Sequence, residues 1–322
     1  MGIWAVVLLF LLGLALIIKG GDFFVDAASW IAEASGIPKF IIGATIVSMA
    51  TTLPELLVSL MAAGKGSVGI AIGNAVGSVT ANVGLIMGIS ILAIPAMFKR
   101  GQLLFKSLIL LAACVLIWVF SMPGSLGLAG AIVLLVLFSL FVANNVWEAK
   151  ASMTVAQPGD APRAPTDQKT VVTNIVKFVL GAAGIVFGAD LLVDNGTLLA
   201  QFFGVPDSII GATLVAVGTS LPELVTTITA IVKKESALSV GNILGANIID
   251  MTVILPLCAI LSGGSLPILR QNLVLDMPVC LGIVAFALVP ALISQKFRRA
   301  QGVVLLVLYA AYIVVLCTGV FA

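Results

Sequence analysis

Two glutamates, Glu55 and Glu223, stand 168 residues apart in the same local sequence, each in the middle of an apolar stretch long enough to cross a bilayer. Residues 36–59 read GIPKFIIGATIVSMATTLPELLVS and residues 204–227 read GVPDSIIGATLVAVGTSLPELVTT, identical at 13 of 24 positions without a gap. A carboxylate at bilayer depth costs about 2.5–3.5 kcal/mol on insertion scales unless it meets a partner. A chain that carries this cost twice, in one repeated motif, is built to hold a cation. The motif supplies the means. Pro54 and Pro222 cannot donate a backbone N–H and push away the carbonyl four residues earlier, which frees oxygens around Ala50 and Gly218. The hydroxyls of Thr51, Thr52, Thr219 and Ser220 lie within a turn of that break. Carboxylate, hydroxyl and carbonyl oxygens are the hard ligands that Ca²⁺ takes in sets of about six to eight, and Na⁺ also prefers oxygen.

A second repeated element follows. Gly73-Asn74-Ala75-Val76-Gly77-Ser78-Val79-Thr80-Ala81-Asn82 is matched by Gly241-Asn242-Ile243-Leu244-Gly245-Ala246-Asn247-Ile248-Ile249-Asp250. At a spacing of four, Asn74, Ser78 and Asn82 share one helix face, as do Asn242, Ala246 and Asp250. The glycines form small-xxx-small pairs that allow close helix approach. Packing does not account for Asp250, a third carboxylate in an apolar segment. Cys114, Cys258, Cys280 and Cys317 lie in apolar spans at no metal-ligand spacing and read as buried packing residues. The chain has no histidine, which excludes His-based relays and His-ligated metals.

The elements that must position these residues are membrane helices. Hydrophobic residues make up 61% of the chain and charged residues 9%, a composition outside the soluble range. Ten spans are expected, near 2–18, 39–63, 68–98, 103–120, 124–145, 174–192, 208–232, 237–262, 273–293 and 302–319. With both termini outside, 14 of the 16 Lys and Arg fall on the inner side and only Lys65 and Arg270 outside, as the positive-inside rule requires. Residues 1–146 and 173–322 then form two five-helix repeats, and residues 147–172 a flexible cytoplasmic linker. Five is odd, so the second repeat enters the membrane from the opposite side. Asp22 and Asp26 recur as Asp190 and Asp194 near span ends, where solvated caps or interfacial anchors are the ordinary reading and their repetition suggests the mouths of two pathways. The fold class is an all-α polytopic membrane protein with an inverted repeat.

At these residues the chain resembles the calcium/cation antiporter superfamily, in particular its sodium/calcium exchangers of prokaryotic type. The resemblance implies exchange of Na⁺ for Ca²⁺ by alternating access, with no catalytic residue and no cofactor. It implies Ca²⁺ binding by Glu55, Glu223, Thr51 and Thr219. It assigns Na⁺-binding or proton-linked roles to Thr52, Ser220, Ser78, Asn82, Asp250, Ser48 and Ala216, supported by Asn74, Asn242, Pro54 and Pro222. The expected partners are the lipid bilayer and inorganic cations, without nucleic acid, for a monomer in the plasma membrane. Three positions depart from the family pattern: Ala50 replaces a glycine, Val79 an asparagine and Ala246 a serine. The last removes a hydroxyl and leaves coupling to protons as the alternative on the same fold. An intramembrane aspartyl protease would need a G-x-G-D context, which Lys19-Gly20-Gly21-Asp22 lacks. A passive channel leaves the inverted repeat unexplained.

Overall fold

The computed structural model describes residues 2–93, 100–155, 164–203, 218 and 220–318. In chain order its helices are α1 (Ile3–Ser35), α2 (Lys39–Ile42), α3 (Ser48–Thr51), α4 (Leu53–Gly64), α5 (Val68–Ala81), α6 (Gly88–Ala93) and α7 (Arg100–Ser121). They continue with α8 (Leu128–Val155), α9 (Gln168–Phe202), α10 (Leu221–Val232), α11 (Ser236–Ile249), α12 (Leu255–Leu261), α13 (Met277–Ser294) and α14 (Arg299–Cys317). Wider π-helical turns occupy Gly43–Val47, Asn82–Met87, Asp250–Ile254 and Asn272–Asp276. The described strands, β1 (Ser125–Gly127) and β2 (Ser265–Pro267), pair antiparallel between loops. Among the described residues eight helices are long and apolar enough to cross a membrane. A ninth span results if Lys39–Thr51 and Leu53–Gly64, bent by 45°, count as one. The protein is thus a polytopic helical membrane protein.

Two boundaries differ from the sequence reading. The first helix does not end near residue 18 but runs 33 residues to Ser35, about 50 Å at 1.5 Å per residue, against about 30 Å of hydrocarbon. The charges at Lys19, Asp22 and Asp26 do not break the helix. What stops it is Gly36, at φ 71°, followed by Pro38. The expected linker is helical at both ends: α8 continues to Val155, and α9 begins at Gln168. Asp167 caps α9 by accepting from the Thr170 backbone N–H at 3.1 Å and the Thr170 hydroxyl at 2.7 Å. These bonds, the hydroxyl's first, hold its carboxyl below the usual carboxylate range.

The chain divides into two compact units, and each draws on both sequence halves: residues 1–51 with 144–242, and residues 52–143 with 243–322. In the first, α1 packs along α9 in antiparallel sense. A Cβ on Gly13 would lie 2.9 Å from the Gly188 carbonyl oxygen, and one on Gly20 2.8 Å from that of Gly181. Only glycine permits this approach. The offset of 168 turns Gly13 into Gly181 and Gly20 into Gly188, so the two contacts exchange with each other. The α1–α9 pair therefore obeys the two-fold relation of an inverted repeat. Below the glycines Phe24, Val25, Ala28, Ala32, Ile42, Val47, Ile185, Ala230 and Leu238 form one buried cluster.

In the second unit α5 and α6 pack against α14 and α13. Apolar span windows in Val68–Ala93 and Ser236–Leu261 are 78% and 83% buried, against 22–44% for the other six candidate spans. The helices with the second motif are core elements; the others are largely free to face lipid. Cys114, Cys258 and Cys280 are buried as expected, but Cys317, in the last turn of α14, is exposed.

Candidate cation site

Each motif break is built by its own residues. Thr52-Leu53-Pro54-Glu55 begins α4 and Ser220-Leu221-Pro222-Glu223 begins α10, with the proline in the first turn of each helix. There a proline costs no hydrogen bond. The pattern is that of a capping box, yet neither Thr52 nor Ser220 makes a capping bond through its side chain. Each glutamate stands in the first turn, where the helix macrodipole and the unpaired N–H groups favour negative charge. Glu55 and Glu223 are both 1% exposed. In the first unit the Ser220 hydroxyl is buried with no hydrogen-bond partner among the described residues. Nearby, the Pro222 carbonyl is taken up by the Thr226 hydroxyl at 2.7 Å.

In the second unit α4 packs on α5, and α5 packs on the π-helical turn at Asp250. Asn74 donates through Nδ2 to the Glu55 carbonyl oxygen at 3.1 Å and to Ser59 Oγ at 2.9 Å, tying the two motifs together. Asn82 Nδ2 donates to Asn247 Oδ1 at 3.0 Å, linking the two copies of the second motif. Asn82, Ser78 and Asp250 are buried. Asn82 Oδ1 and Ser78 Oγ have no partner among the described residues, so this core retains oxygen acceptors. Asn82 and Asp250 each open a π-helical turn at the same repeat position. Such turns widen the helix and recur at functional sites. The mirror of Asn82–Asn247 would be Asp250 with residue 79, and Val79 brings no polar atom there.

In the first unit the Thr51 hydroxyl donates to Asn242 Oδ1 at 3.2 Å and to the Ser48 carbonyl at 3.3 Å. The Ser48 hydroxyl is spent on the Thr45 carbonyl at 3.0 Å. The repeats are not equivalent here. Asn242, counterpart of Asn74, keeps its Nδ2 without a partner, and so does the hydroxyl of Thr227, counterpart of Ser59, among the described residues. Ala50 also finds its reason: it packs beside the buried cluster, whereas a Cβ on Gly218 would sit 2.6 Å from Val193 Cγ2.

Of the residues expected at the site, Glu55, Thr52, Asn74, Ser78, Asn82 and Asp250 fall in the second unit, and Ser48, Thr51, Ser220, Glu223 and Asn242 in the first. Thr219 and Ala216 lie outside the described residues. One expectation needs correction. Among the described residues nothing lies within 4 Å of a Cβ built on Gly73 or Gly77, while Gly241 lies against the Phe40 carbonyl oxygen and serves helix packing. Sequence reasoning also missed Asp276, a fourth buried carboxylate, which accepts from Asn272 Nδ2 at 2.7 Å and the Tyr312 hydroxyl at 3.0 Å. Its signal was a single Asp in an apolar span, without a repeat to draw attention to it.

A sequence model of the family described as sodium/calcium exchanger protein matches residues 5–147 and again residues 173–318. The chain is 34% identical to the sodium/calcium exchanger MaX1 of Methanosarcina acetivorans, covering 96% of this chain and 97% of that one. It is also 34% identical to the inner membrane protein YrbG of Escherichia coli, over 92% of each chain. Among solved structures it resembles the sodium-calcium exchanger NCX_Mj soaked with zero Na⁺ and Ca²⁺. The TM-score is 0.83 at 30% identity, covering 98% of this chain and 100% of that one. The same exchanger soaked with 10 mM Na⁺ and 10 mM Sr²⁺ gives a TM-score of 0.82. Matched twice over, along both motif copies and nearly end to end, the chain belongs to the sodium/calcium exchanger family.

Proposed function

We propose that this protein is a secondary active antiporter that exchanges Na⁺ for Ca²⁺ by alternating access. The observation that carries the reading is the pair Glu55 and Glu223, each buried at 1% exposure in the first turn of a proline-started helix. Glu55 and Glu223, with Thr51 and Thr219, bind Ca²⁺, the two carboxylates offsetting its charge. Thr52, Ser220, Ser78, Asn82 and Asp250, with backbone oxygens near Ser48 and Ala216, take the coupled cation. Asn74 and Asn242 support the two breaks. An empty site leaves buried carboxylates without cations, which disfavours switching and enforces exchange.

The topology belongs to the same proposal: ten spans as two inverted repeats, termini outside, residues 147–172 cytoplasmic, one chain forming one site. Parity supports it. Lys39 reaches Glu235 at 2.6 Å, and Trp30 donates to the Pro165 carbonyl at 3.1 Å. An even number of crossings must separate each of these pairs, and the ten-span model places six and four. β1 and β2, four spans apart in that scheme, also meet.

The test is Ca²⁺ flux in proteoliposomes under separately imposed Na⁺ and pH gradients. Flux driven by sodium is the expected result. Flux that follows only the pH gradient would overturn sodium coupling and leave Asp250 as the proton carrier to examine.

A further inference from the structure

A buried carboxylate outside the repeated motifs has no part in the site as assigned. Asp276 is 3% exposed within the span Asn272–Ser294. Its two oxygens are divided between elements: Oδ2 accepts from Asn272 Nδ2 at 2.7 Å and Gln271 Nε2 at 3.4 Å, on its own helical turn, while Oδ1 accepts from the Tyr312 hydroxyl of α14 at 3.0 Å. Three donors offset the cost of the charge, so the group is a fixed acceptor rather than a stray one. What it fixes lies on α14. Tyr309 and Tyr312 pack with Ala81, and Leu85, Leu275 and Val279 close around them. Further along, a Cβ on Gly84 would come within 2.8 Å of Tyr309 Cβ, and one on Gly302 within 2.7 Å of the Gly88 carbonyl oxygen. The Asn82–Met87 turn is therefore seated directly on α14, with no slack between them.

We infer that the Asp276–Tyr312 hydrogen bond positions the Asn82–Met87 turn, and through it Asn82 and Ser78, for the coupled cation. Tyr312 is the arm and Asp276 the anchor; neither touches the ion. Loss of the bond lets α14 turn or withdraw, and the wall behind Ala81 and Gly84 moves with it. Glu55 is held by a different tie, through Asn74 to its carbonyl. The effect should fall on one ion and spare the other. This inference rests on the assignment of Ser78 and Asn82 made above.

The experiment compares wild type, Tyr312→Phe, Asp276→Asn and the double variant in proteoliposomes, measuring half-saturating Na⁺ and half-saturating Ca²⁺ separately. Tyr312→Phe keeps the ring and its packing, so folding is preserved even where Asp276→Asn lowers thermal stability. Each single variant should raise half-saturating Na⁺ about three- to tenfold with Ca²⁺ unchanged, and the double variant should add nothing further. Equal shifts for both ions, or no shift in either with only a lower melting temperature, would overturn the positioning role. Wild-type vesicles separate this from the function itself. If their Ca²⁺ flux ignores sodium, sodium coupling falls, and the same four proteins are scored on half-saturation by the ion that does drive flux.

Discussion

Glu55 and Glu223 resemble ordinary helix-starting glutamates except in where they stand. In water the first-turn position contributes about a few tenths of a kcal/mol; in an apolar interior, where water does not screen the helix end, the same position favours a carboxylate's charge more strongly. Substitution by glutamine keeps the shape and removes the charge. Glu55→Gln and Glu223→Gln should each reduce exchange to background while the purified protein elutes and melts as a folded species. A second readout is sharper. In wild type, Ca²⁺ at 100 times its dissociation constant should stabilise the fold by about 2.7 kcal/mol, and in either variant that increment should vanish. Retained Ca²⁺ stabilisation in Glu223→Gln would remove that residue from the site. These residues were legible in the sequence because they were repeated: a cost borne twice at one offset is hard to assign to chance. Asp276 was not legible, because its partner Tyr312 is 36 residues away on another helix and no second copy marks either residue.

At the level of elements, the glycines separate into two kinds that the sequence presents identically. Gly13 and Gly20 on α1 and Gly181 and Gly188 on α9 meet backbone: a Cβ on Gly181 would lie 2.6 Å from the Phe24 amide nitrogen. Those at Gly73 and Gly77 meet nothing within 4 Å among the described residues. Gly181→Ala should therefore cost about 1–3 kcal/mol through overpacking, read as a lower melting temperature in detergent. Gly77→Ala should leave the melting temperature within the error of the wild type, since added methyl volume is not opposed and a helical glycine gains from replacement. If both variants melt alike, the close α1–α9 approach is not what holds those helices together. The helices themselves follow from the run of apolar residues. Their ends do not: α1 passes its charged residues and stops only at the left-handed Gly36, and α9 starts at the Asp167 cap inside a stretch whose composition reads as linker. Hydropathy reports where lipid ends, whereas caps report where the helix ends.

For the whole molecule, the inverted repeat supplies a rule: the opposite transport state is the one obtained by letting the two halves trade roles. Lys233 spans Asp26 at 2.7 Å and Asp22 at 3.4 Å, fastening the end of α10 to α1. The aspartates are 51% and 43% exposed, so solvent screening limits the contribution of this link to about 0.2–1 kcal/mol. That is too little to decide folding. It is enough to shift a balance between two states about 1.4- to fivefold. The repeat turns Lys233, Asp22 and Asp26 into Lys65, Asp190 and Asp194, on the other side of the membrane in the ten-span scheme. Lys233→Ala should therefore favour access from the cytoplasmic side, and Lys65→Ala access from the outside. With Cys114, Cys258, Cys280 and Cys317 replaced and one cysteine placed at Ser78, labelling by a membrane-impermeant thiol reagent reads the two sides separately. Lys233→Ala should speed labelling in inside-out vesicles and slow it in right-side-out ones, and Lys65→Ala should do the reverse. High salt should weaken both effects, because the charges involved are solvated. Shifts of the same sign in both variants would mean that the lysines act through general surface charge, and the two-fold exchange of latches would be wrong.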